Sequence, residues 1–374
     1  MMKRSVFVII FILPVLLKGQ ITIDEGILPK VNDVYNTFID DMPEVNLGRQ
    51  GTDQEWDFST LNSGLIYQTT MLPPDPVLIF NALDYDFFIH SGNKIYRLFK
   101  RQGDELYEVA IQRPHPLNSD FIVFAKYESP KLVAYGPLSY RSEKTDRSNI
   151  FFYMPGNQIP QLIQKKLPIT ADSLRLKVSE VRDFRVDASG TLFLPYDRFD
   201  VLRQEITSRT TTSLEIYSAG KWSKINDYIL DPTGELLGTV TQKSYVFYAN
   251  EEPLPLASIL LNENGSIKNI EVKAPGTIDN YVPANTDEKR LILSPNPTYG
   301  DVKLELMNLE PGKYYFEVFN IIGKKLWGDE LDINRKLSST KYNFSFLGKG
   351  TYLWAITDAQ GVRITTKRLV IVTP

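Results

Sequence analysis

The chain has no cysteine and only two histidines among its 374 residues. The missing cysteines exclude a disulfide framework, a thiol nucleophile and a lipid-modified cysteine at the N-terminus. A histidine base would have to be His90 or His115, and neither lies in a recognisable catalytic motif. The sequence also lacks a G-x-S-x-G elbow, a Walker A loop, a G-x-G-x-x-G turn and an H-E-x-x-H helix. We therefore predict no catalytic residue, and stability has to come from a packed core alone.

The surroundings of the two histidines predict ordinary structural positions. His90 ends a predicted strand just before a turn. His115 lies between Pro114 and Pro116, a setting that favours an extended loop and a solvent-exposed imidazole ring. We expect neither residue to take part in catalysis.

Net charge limits the kinds of partner. The chain carries a formal charge of −3 at pH 7, and the acidic excess lies in residues 20–290. A nucleic-acid or anionic-membrane surface needs clustered basic residues, so neither partner is expected. Calcium needs about six to eight oxygen ligands, and no Asp-rich loop here reaches that density. Asp and Asn beside Gly are what hairpin turns require, so we predict neither a metal nor a cofactor.

The N-terminus is typical of an export signal. Lys3 and Arg4 precede an apolar stretch over residues 5–17, which is too short for a stable membrane-spanning helix. We predict a signal peptide over residues 1–19, with cleavage after Gly19. An uncleaved membrane anchor is the alternative. No later apolar run is long enough to span a bilayer, so no transmembrane segment is expected after the signal is removed.

Residues 20–272 are predicted to form a large β-rich body. Phe87 and its neighbours, and residues 94–100, flank a small Gly-containing loop, which indicates a hairpin. Similar turn signals recur beside aromatic or β-branched runs, and the chain holds 20 Tyr, 20 Phe and 23 Pro. Residues 198–206 break strict alternation at Leu202 and Ile206, which predicts a bulge or burial on both faces.

Two kinds of side chain are candidates for a site in the body. Trp56 and Trp222 are its only tryptophans and are possible ligand contacts, because sugar rings stack on aromatic faces. Core packing is the ordinary alternative for both. Asp24 with Glu25, Asp40 with Asp41, and Asp84 with Asp86 are carboxylate pairs of the kind that hydrolyse glycosides. Sequence proximity does not give their spacing across a sugar, and solvated loop acids would show the same pattern.

Residues 291–374 are predicted to form a separate small immunoglobulin-like β-sandwich of about seven strands. Two prolines restrict the backbone around Asn296, and Gly300 precedes the next strand. In that strand Val302, Leu304 and Leu306 alternate with Asp301, Lys303 and Glu305, which predicts one buried and one wet face. Residues 273–290 have the composition of a linker.

This C-terminal region closely resembles the type A C-terminal sorting domain of the type IX secretion system found in Bacteroidota. Four motifs carry the resemblance, in order: a Pro-Asn-Pro turn, a loop with Asn-Ile-Ile-Gly-Lys, a Gly-Thr-Tyr-Leu strand and an Asp-Ala-Gln-Gly turn followed by a lysine. The sorting-motif residues are Pro295, Asn296, Pro297, Gly300, Gly323, Gly350, Tyr352, Asp358, Gly361 and Lys367. An ordinary immunoglobulin-like accessory domain is the alternative.

The resemblance implies a route and partners. Cargo of this kind crosses the periplasm, passes an outer-membrane translocon that reads the sorting domain, and usually loses that domain to a sorting-domain peptidase. The product is then secreted or attached to the cell surface. These are expectations that the family supplies, and they cover only residues 291–374.

Part of the body resembles uncharacterised extracellular regions that precede such sorting domains, namely residues 54–59, 190–196 and 199–203. Asp197 stands where that pattern has Gly. No activity is assigned to those regions, so two functions stay open. One is a non-enzymatic surface or secreted protein that binds a glycan, a partner protein or the cell envelope. The other is a secreted glycan-active hydrolase with unassigned carboxylates.

Overall fold

The computed structural model describes residues 21–40, 43–61, 66–75, 83–91, 94–167, 169–225, 236–250, 252–274, 281–283, 289–294, 296–334 and 337–372. The predicted signal peptide and most of the predicted linker lie outside these ranges. Strands predominate in both the body and the C-terminal region, which confirms the all-β fold class. No helix in the described ranges has the length and apolar character needed to cross a membrane.

Strands of 2 to 21 residues build the body. They are β1 (Thr22–Ile23), β2 (Val34–Asp40), β3 (Gly51–Asp57), β4 (Ile66–Thr70), β5 (Phe87–Ser91), β6 (Ile95–Gln102), β7 (Glu105–His115), β8 (Asn118–Tyr135), β9 (Leu138–Ser139), β10 (Glu143–Pro155), β11 (Ser173–Phe193), β12 (Arg198–Ser218), β13 (Lys221–Lys224), β14 (Gly238–Tyr248), β15 (Ala257–Leu261), β16 (Ile267–Lys273) and β17 (Tyr281–Pro283). A single turn of helix, α1 (Gln161–Gln164), follows β10. The predicted hairpin is confirmed, because β5 pairs antiparallel with β6.

One curved sheet contains almost all of these strands. Its order is β17-β4-β2-β16-β15-β14-β12-β11-β10-β8-β7-β6-β5, with β13 beside β12 and β3 beside β11. Past the end of β4, Leu72 exchanges two backbone hydrogen bonds with Phe88 of β5, at 2.8 and 2.9 Å. The sheet therefore curves until its two ends meet, which gives it a concave inner face and a convex outer face.

The inner face changes character along the strands. On β11 the inward residues are Leu174 and Leu176, then Glu180 and Arg182, and then Phe184. Leu174 and Leu176 belong to one apolar cluster, and Phe184 belongs to another. Alternation along a strand keeps all of these side chains on one face. A belt of charged and polar residues therefore separates two apolar clusters inside the body.

The outer face carries a third apolar cluster, which residues 43–61 cover. The register of β11 and β12 shifts at Asp187, since Val186 pairs with Gln204 and Ala188 pairs with Arg203. A bulge of this kind reverses which side chains face inward. Val201 and Leu202 are both buried, in the outer and inner clusters respectively. The prediction of a bulge or two-sided burial in this segment is confirmed.

The C-terminal region is a two-layer sandwich. Its strands are β18 (Arg290–Ser294), β19 (Asp301–Met307), β20 (Gly312–Phe319), β21 (Lys325–Ile333), β22 (Leu337–Asn343), β23 (Gly350–Asp358) and β24 (Arg363–Ile371). The sheet β18-β19-β22 faces the sheet β21-β20-β23-β24. Leu304, Phe316, Trp354 and Leu369 lie in the single core between them.

The predicted wet face of β19 is wrong at two positions. Lys303 and Glu305 are only 8% and 1% exposed. The Lys303 ammonium lies 3.1 Å from Asp40 Oδ1, at the end of β2, and 3.7 Å from Glu305 Oε1. Alternation correctly predicts which side chains of β19 point away from the sandwich core. It says nothing about the body, which covers the other side of the strand.

Candidate functional site

A cavity of about 500 Å³ opens in the polar belt on the inner face of the body. Strands β6, β7, β8, β10, β11, β12 and β14 each contribute side chains to its wall. A volume of several hundred cubic ångströms is in the range of small-molecule sites. The lining includes five charged residues, namely Arg97, Glu108, Arg113, Lys131 and Glu180.

Four of these charges form two ion pairs. Arg97 Nη2 lies 2.7 Å from Glu108 Oε2, and Lys131 Nζ lies 2.7 Å from Glu180 Oε2. Arg182 approaches Glu180 at 3.9 Å and donates a 2.6 Å hydrogen bond to the Leu132 carbonyl. Charges taken out of water cost free energy that such pairing only partly offsets. A protein that places them inside its fold is a candidate for binding there.

Burial and the Glu108 charge act in opposite directions on the pKa of Arg97 and in the same direction on the pKa of Tyr127. Burial alone would lower the pKa of Arg97, and the adjacent Glu108 carboxylate outweighs it, so that the pKa rises. Burial, followed by the charge of Glu108, raises the pKa of Tyr127 well above its ordinary value. The cavity therefore holds a permanent guanidinium cation and a neutral phenol that can donate a hydrogen bond.

Arg113 is the lining cation that belongs to neither ion pair. Its Nε donates a 3.3 Å hydrogen bond to the Pro114 carbonyl, and its guanidinium lies 5.9 Å from the centre of the Phe152 ring. Within the part of the chain that the structure describes, no carboxylate lies within ion-pair distance of it. The cavity lining consequently carries a net positive charge.

Part of the lining is apolar. Ile150, Phe152, Leu176 and Val178 line the cavity where it meets one apolar cluster of the inner face. Arg113 lies beside this patch, since its guanidinium is 5.9 Å from the centre of the Phe152 ring, so a ligand in this space would meet charge and hydrocarbon next to each other. The arrangement suits binding of a molecule with one polar end and one apolar end.

The candidate tryptophans lie outside this cavity. Trp56 is buried in the outer cluster and donates a 2.9 Å hydrogen bond to the Leu47 carbonyl, so its ring has no free face. Trp222 lies on β13, where the Arg175 guanidinium is 4.3 Å from its ring centre and Tyr217 is 5.2 Å away. Trp222 is partly exposed, and its contact with a ligand stays a prediction.

The carboxylate pairs noted in the sequence also lie elsewhere. Asp24 accepts a hydrogen bond from the Gly26 N–H, Asp84 pairs with Lys100, and Asp86 accepts one from the Arg101 N–H. Asp40 contacts Lys303, and Asp41 is outside the described residues. The inner cavity brings together two other carboxylates, Glu108 and Glu180, which lie far apart in sequence. In the described ranges, no group of three or more His, Asp or Glu residues is arranged to hold a metal ion.

His115 is buried, so the prediction of a solvated ring is wrong. The ring is 1% exposed. Its Nδ1 accepts a 3.1 Å hydrogen bond from the Leu117 N–H, and its Nε2 lies 3.3 Å from the Phe152 carbonyl. This pattern requires the neutral ring with its proton on Nε2. Burial lowers the pKa of His115 accordingly.

This buried histidine predicts a pH-dependent stability. The unfolded chain takes up the proton at about pH 6.5, while the folded ring resists it, so the free energy of unfolding should fall as pH drops below that value. We expect His115→Gln to weaken this dependence between about pH 7 and pH 5. Urea unfolding across that range is the measurement, with His90→Gln as control. An unchanged pH profile in His115→Gln would contradict the prediction.

The sorting motifs of the C-terminal sandwich are held by internal hydrogen bonds. The Asn296 side chain donates to the Arg368 carbonyl at 2.7 Å and accepts from the Val370 N–H at 2.8 Å, which ties the first turn to β24. Lys367 Nζ donates to the Leu291 carbonyl of β18 at 2.7 Å. Pro295 lies outside the described residues, and Pro297 is exposed.

The remaining motif residues form turns and close contacts. Gly300 has φ +133°, and a Cβ there would lie 2.8 Å from the Ser345 nitrogen, so only glycine fits. The Asp358 carboxylate accepts hydrogen bonds from the N–H groups of Gln360 and Val362, in a turn with Gly361 at φ +82°. Tyr352 donates to the Leu347 carbonyl, Gly350 lies against the Tyr352 ring, and Gly323 ends the turn after β20.

Residues 293–372 match the sequence family described as "Secretion system C-terminal sorting domain". The C-terminal sandwich is a sorting domain. It makes the chain a cargo protein of type IX secretion, bound for the cell surface or the medium. The match spans the four motifs quoted from the sequence and leaves the body without a family.

Other comparisons add little to the sorting domain. No curated protein sequence matches the chain. Among solved structures, dimeric latent PorU from Porphyromonas gingivalis aligns with a TM-score of 0.21 and 12% identity, over 92% of this chain. The chain spans 34% of the PorU chain. A similarity this low supports no inference about the body.

Proposed function

We propose that the protein is a non-enzymatic binding protein, delivered by type IX secretion, whose body takes up a ligand in its inner cavity. The observation that carries this is the cavity itself, with its charged belt inside an otherwise apolar interior. Burial of charge costs free energy even when the charges are paired, so a charged cavity inside the fold supports a binding role.

Binding is favoured over hydrolysis by the state of the two cavity carboxylates. A glycosidase needs one carboxyl group that gives up a proton and a second that is free to attack or to activate water. Here Glu108 is held by Arg97 and Glu180 by Lys131, each at 2.7 Å. Both are acceptors within ion pairs. The glycan-active hydrolase stays the second candidate, because two carboxylates do share one concave site.

A hydrolysis panel separates these two functions. We expect the purified protein to release no reducing sugar from a set of polysaccharides, and Glu108→Gln and Glu180→Gln to behave like the unaltered protein. His90→Ala, outside the cavity, is the control. If the unaltered protein hydrolyses a polysaccharide, and Glu108→Gln or Glu180→Gln lowers that turnover by about 100-fold or more with folding preserved, the protein is a hydrolase instead.

The export route of the proposal has its own support. The signal peptide predicted over residues 1–19 would deliver the chain to the periplasm of a member of the Bacteroidota. An outer-membrane translocon and a sorting-domain peptidase are the partners that the sorting domain implies. The peptidase would cut within residues 273–290, whose composition is that of a linker.

One end of the sorting domain is suited to contact the translocon. Gly350 pairs with Ile371, and Thr298 bridges to Ile371, so the turns at both places share this end. The apolar side chains exposed there are Tyr299, Ile321, Ile322 and Phe346, and Ile322 is 83% exposed. Exposed apolar groups gathered at one place mark protein-interaction surfaces.

A further inference from the structure

We infer that the inner cavity binds a small amphiphilic anion, with a carboxylate held by Arg113 and an apolar chain along the hydrocarbon patch beside it. The inference rests on the proposed binding function and names the class of ligand. Its basis is the distribution of charged and apolar side chains around the cavity.

The charge of the lining selects an anion. Each of its two carboxylates already has a cation at 2.7 Å, which leaves neither free to attract a cationic ligand. Among the described residues, Arg113 has one hydrogen-bond acceptor, the Pro114 carbonyl, which lies 3.3 Å from Nε. A guanidinium presents several N–H donors in one plane, a geometry that matches a carboxylate. An incoming carboxylate would balance the excess positive charge.

The apolar wall selects an amphiphile over a free inorganic anion. Phe152 and Leu176 line the cavity and continue into the apolar cluster that also contains Met154 and Leu214. An alkyl chain placed there removes apolar surface from water, which stabilises the complex. A sugar would place some of its hydroxyl groups against this hydrocarbon, at a cost in free energy.

The cavity is accessible from solvent. The Arg97 side chain lines it and is 39% exposed, although its partner Glu108 is only 2% exposed. Water therefore reaches the charged side of the cavity along Arg97.

Titration calorimetry on residues 20–374, the chain without its predicted signal peptide, tests the inference. Three probes that share one alkyl chain are used. The probes are dodecanoate, dodecyltrimethylammonium and dodecyl maltoside, each below its micelle concentration. We expect one dodecanoate to bind per chain, with the cationic and neutral probes at least about 10-fold weaker. Arg113→Gln should weaken dodecanoate binding about 10- to 100-fold, because it removes a charge-assisted hydrogen bond.

Two further variants complete the design. Arg185→Gln alters an arginine that pairs with Glu143 outside the cavity and should change the affinity less than about 2-fold. Thr212→Trp adds bulk to the lining and should block every probe that enters. Failure of folded protein to bind dodecanoate, equal binding of all three probes, or full affinity in Arg113→Gln would each overturn the inference. If a probe other than dodecanoate binds instead, and Thr212→Trp blocks its binding, the proposed ligand class is refuted and the binding function stands.

Discussion

Deletion of residues 291–374 is expected to stop the protein from reaching the cell surface or the medium and to leave its body in the periplasm. The sorting domain matched at residues 293–372 is the part that the secretion system reads, whereas the predicted signal peptide directs only the first step. Cell fractionation with an immunoblot against the body measures the outcome. In the unaltered strain, mass spectrometry should find a surface form that begins near Gln20 and ends within residues 273–290.

Point variants separate loss of the sorting signal from loss of the whole domain. Gly300→Val should reproduce the deletion, because a side chain at φ +133° would lie against the backbone of Ser345. Ile321→Ser combined with Ile322→Ser tests the exposed end without touching the core. Leu162→Ser, at an exposed apolar position of the body, should be secreted normally. Normal secretion of the truncated chain, or an intact Pro374 on the surface form, would refute the prediction.

Strand patterns in the sequence predict local features of this fold and miss what depends on packing between distant strands. The β5–β6 hairpin follows from turn residues, and the burial of both faces of β12 follows from broken alternation. The buried side of β19 does not, because the body that covers Lys303 comes from β2, more than 260 residues earlier. Alternation within one strand carries no information about a second layer.

The sequence of β11 carries a signal of the cavity. Alternate residues of β11 run Leu174, Leu176 and Val178, and then Glu180 and Arg182 interrupt the apolar series before Phe184 resumes it. An interruption of this kind on a buried face marks either a polar cavity or an exposed edge. Deciding between them needs Arg97 and Glu108, which only the curvature of the sheet brings opposite.

The largest single-residue loss of stability is expected at Arg203. Its guanidinium donates hydrogen bonds to Asp187 at 2.9 and 2.8 Å, and the two side chains are 2% and 0% exposed. It also donates to the Leu47 carbonyl and, at 3.1 Å, to the Arg49 carbonyl, so it ties residues 43–61 to the sheet. Arg203→Met should lower the free energy of unfolding by about 3–5 kcal/mol, because Asp187 is left charged and buried without a partner.

A matched pair on the same two strands provides the control. Arg209 contacts Asp183 at 2.7 Å, the same kind of ion pair, but its side chains are 53% and 41% exposed. Water already solvates both groups there, so Arg209→Met should cost about 1 kcal/mol or less. Urea unfolding of both variants, followed by circular dichroism, gives the two free energies. If Asp187→Asn is added to Arg203→Met, the buried charge disappears and part of the loss should be recovered. Equal costs for Arg203→Met and Arg209→Met would mean that burial of the Asp187 charge contributes nothing, and would contradict the prediction for Arg203.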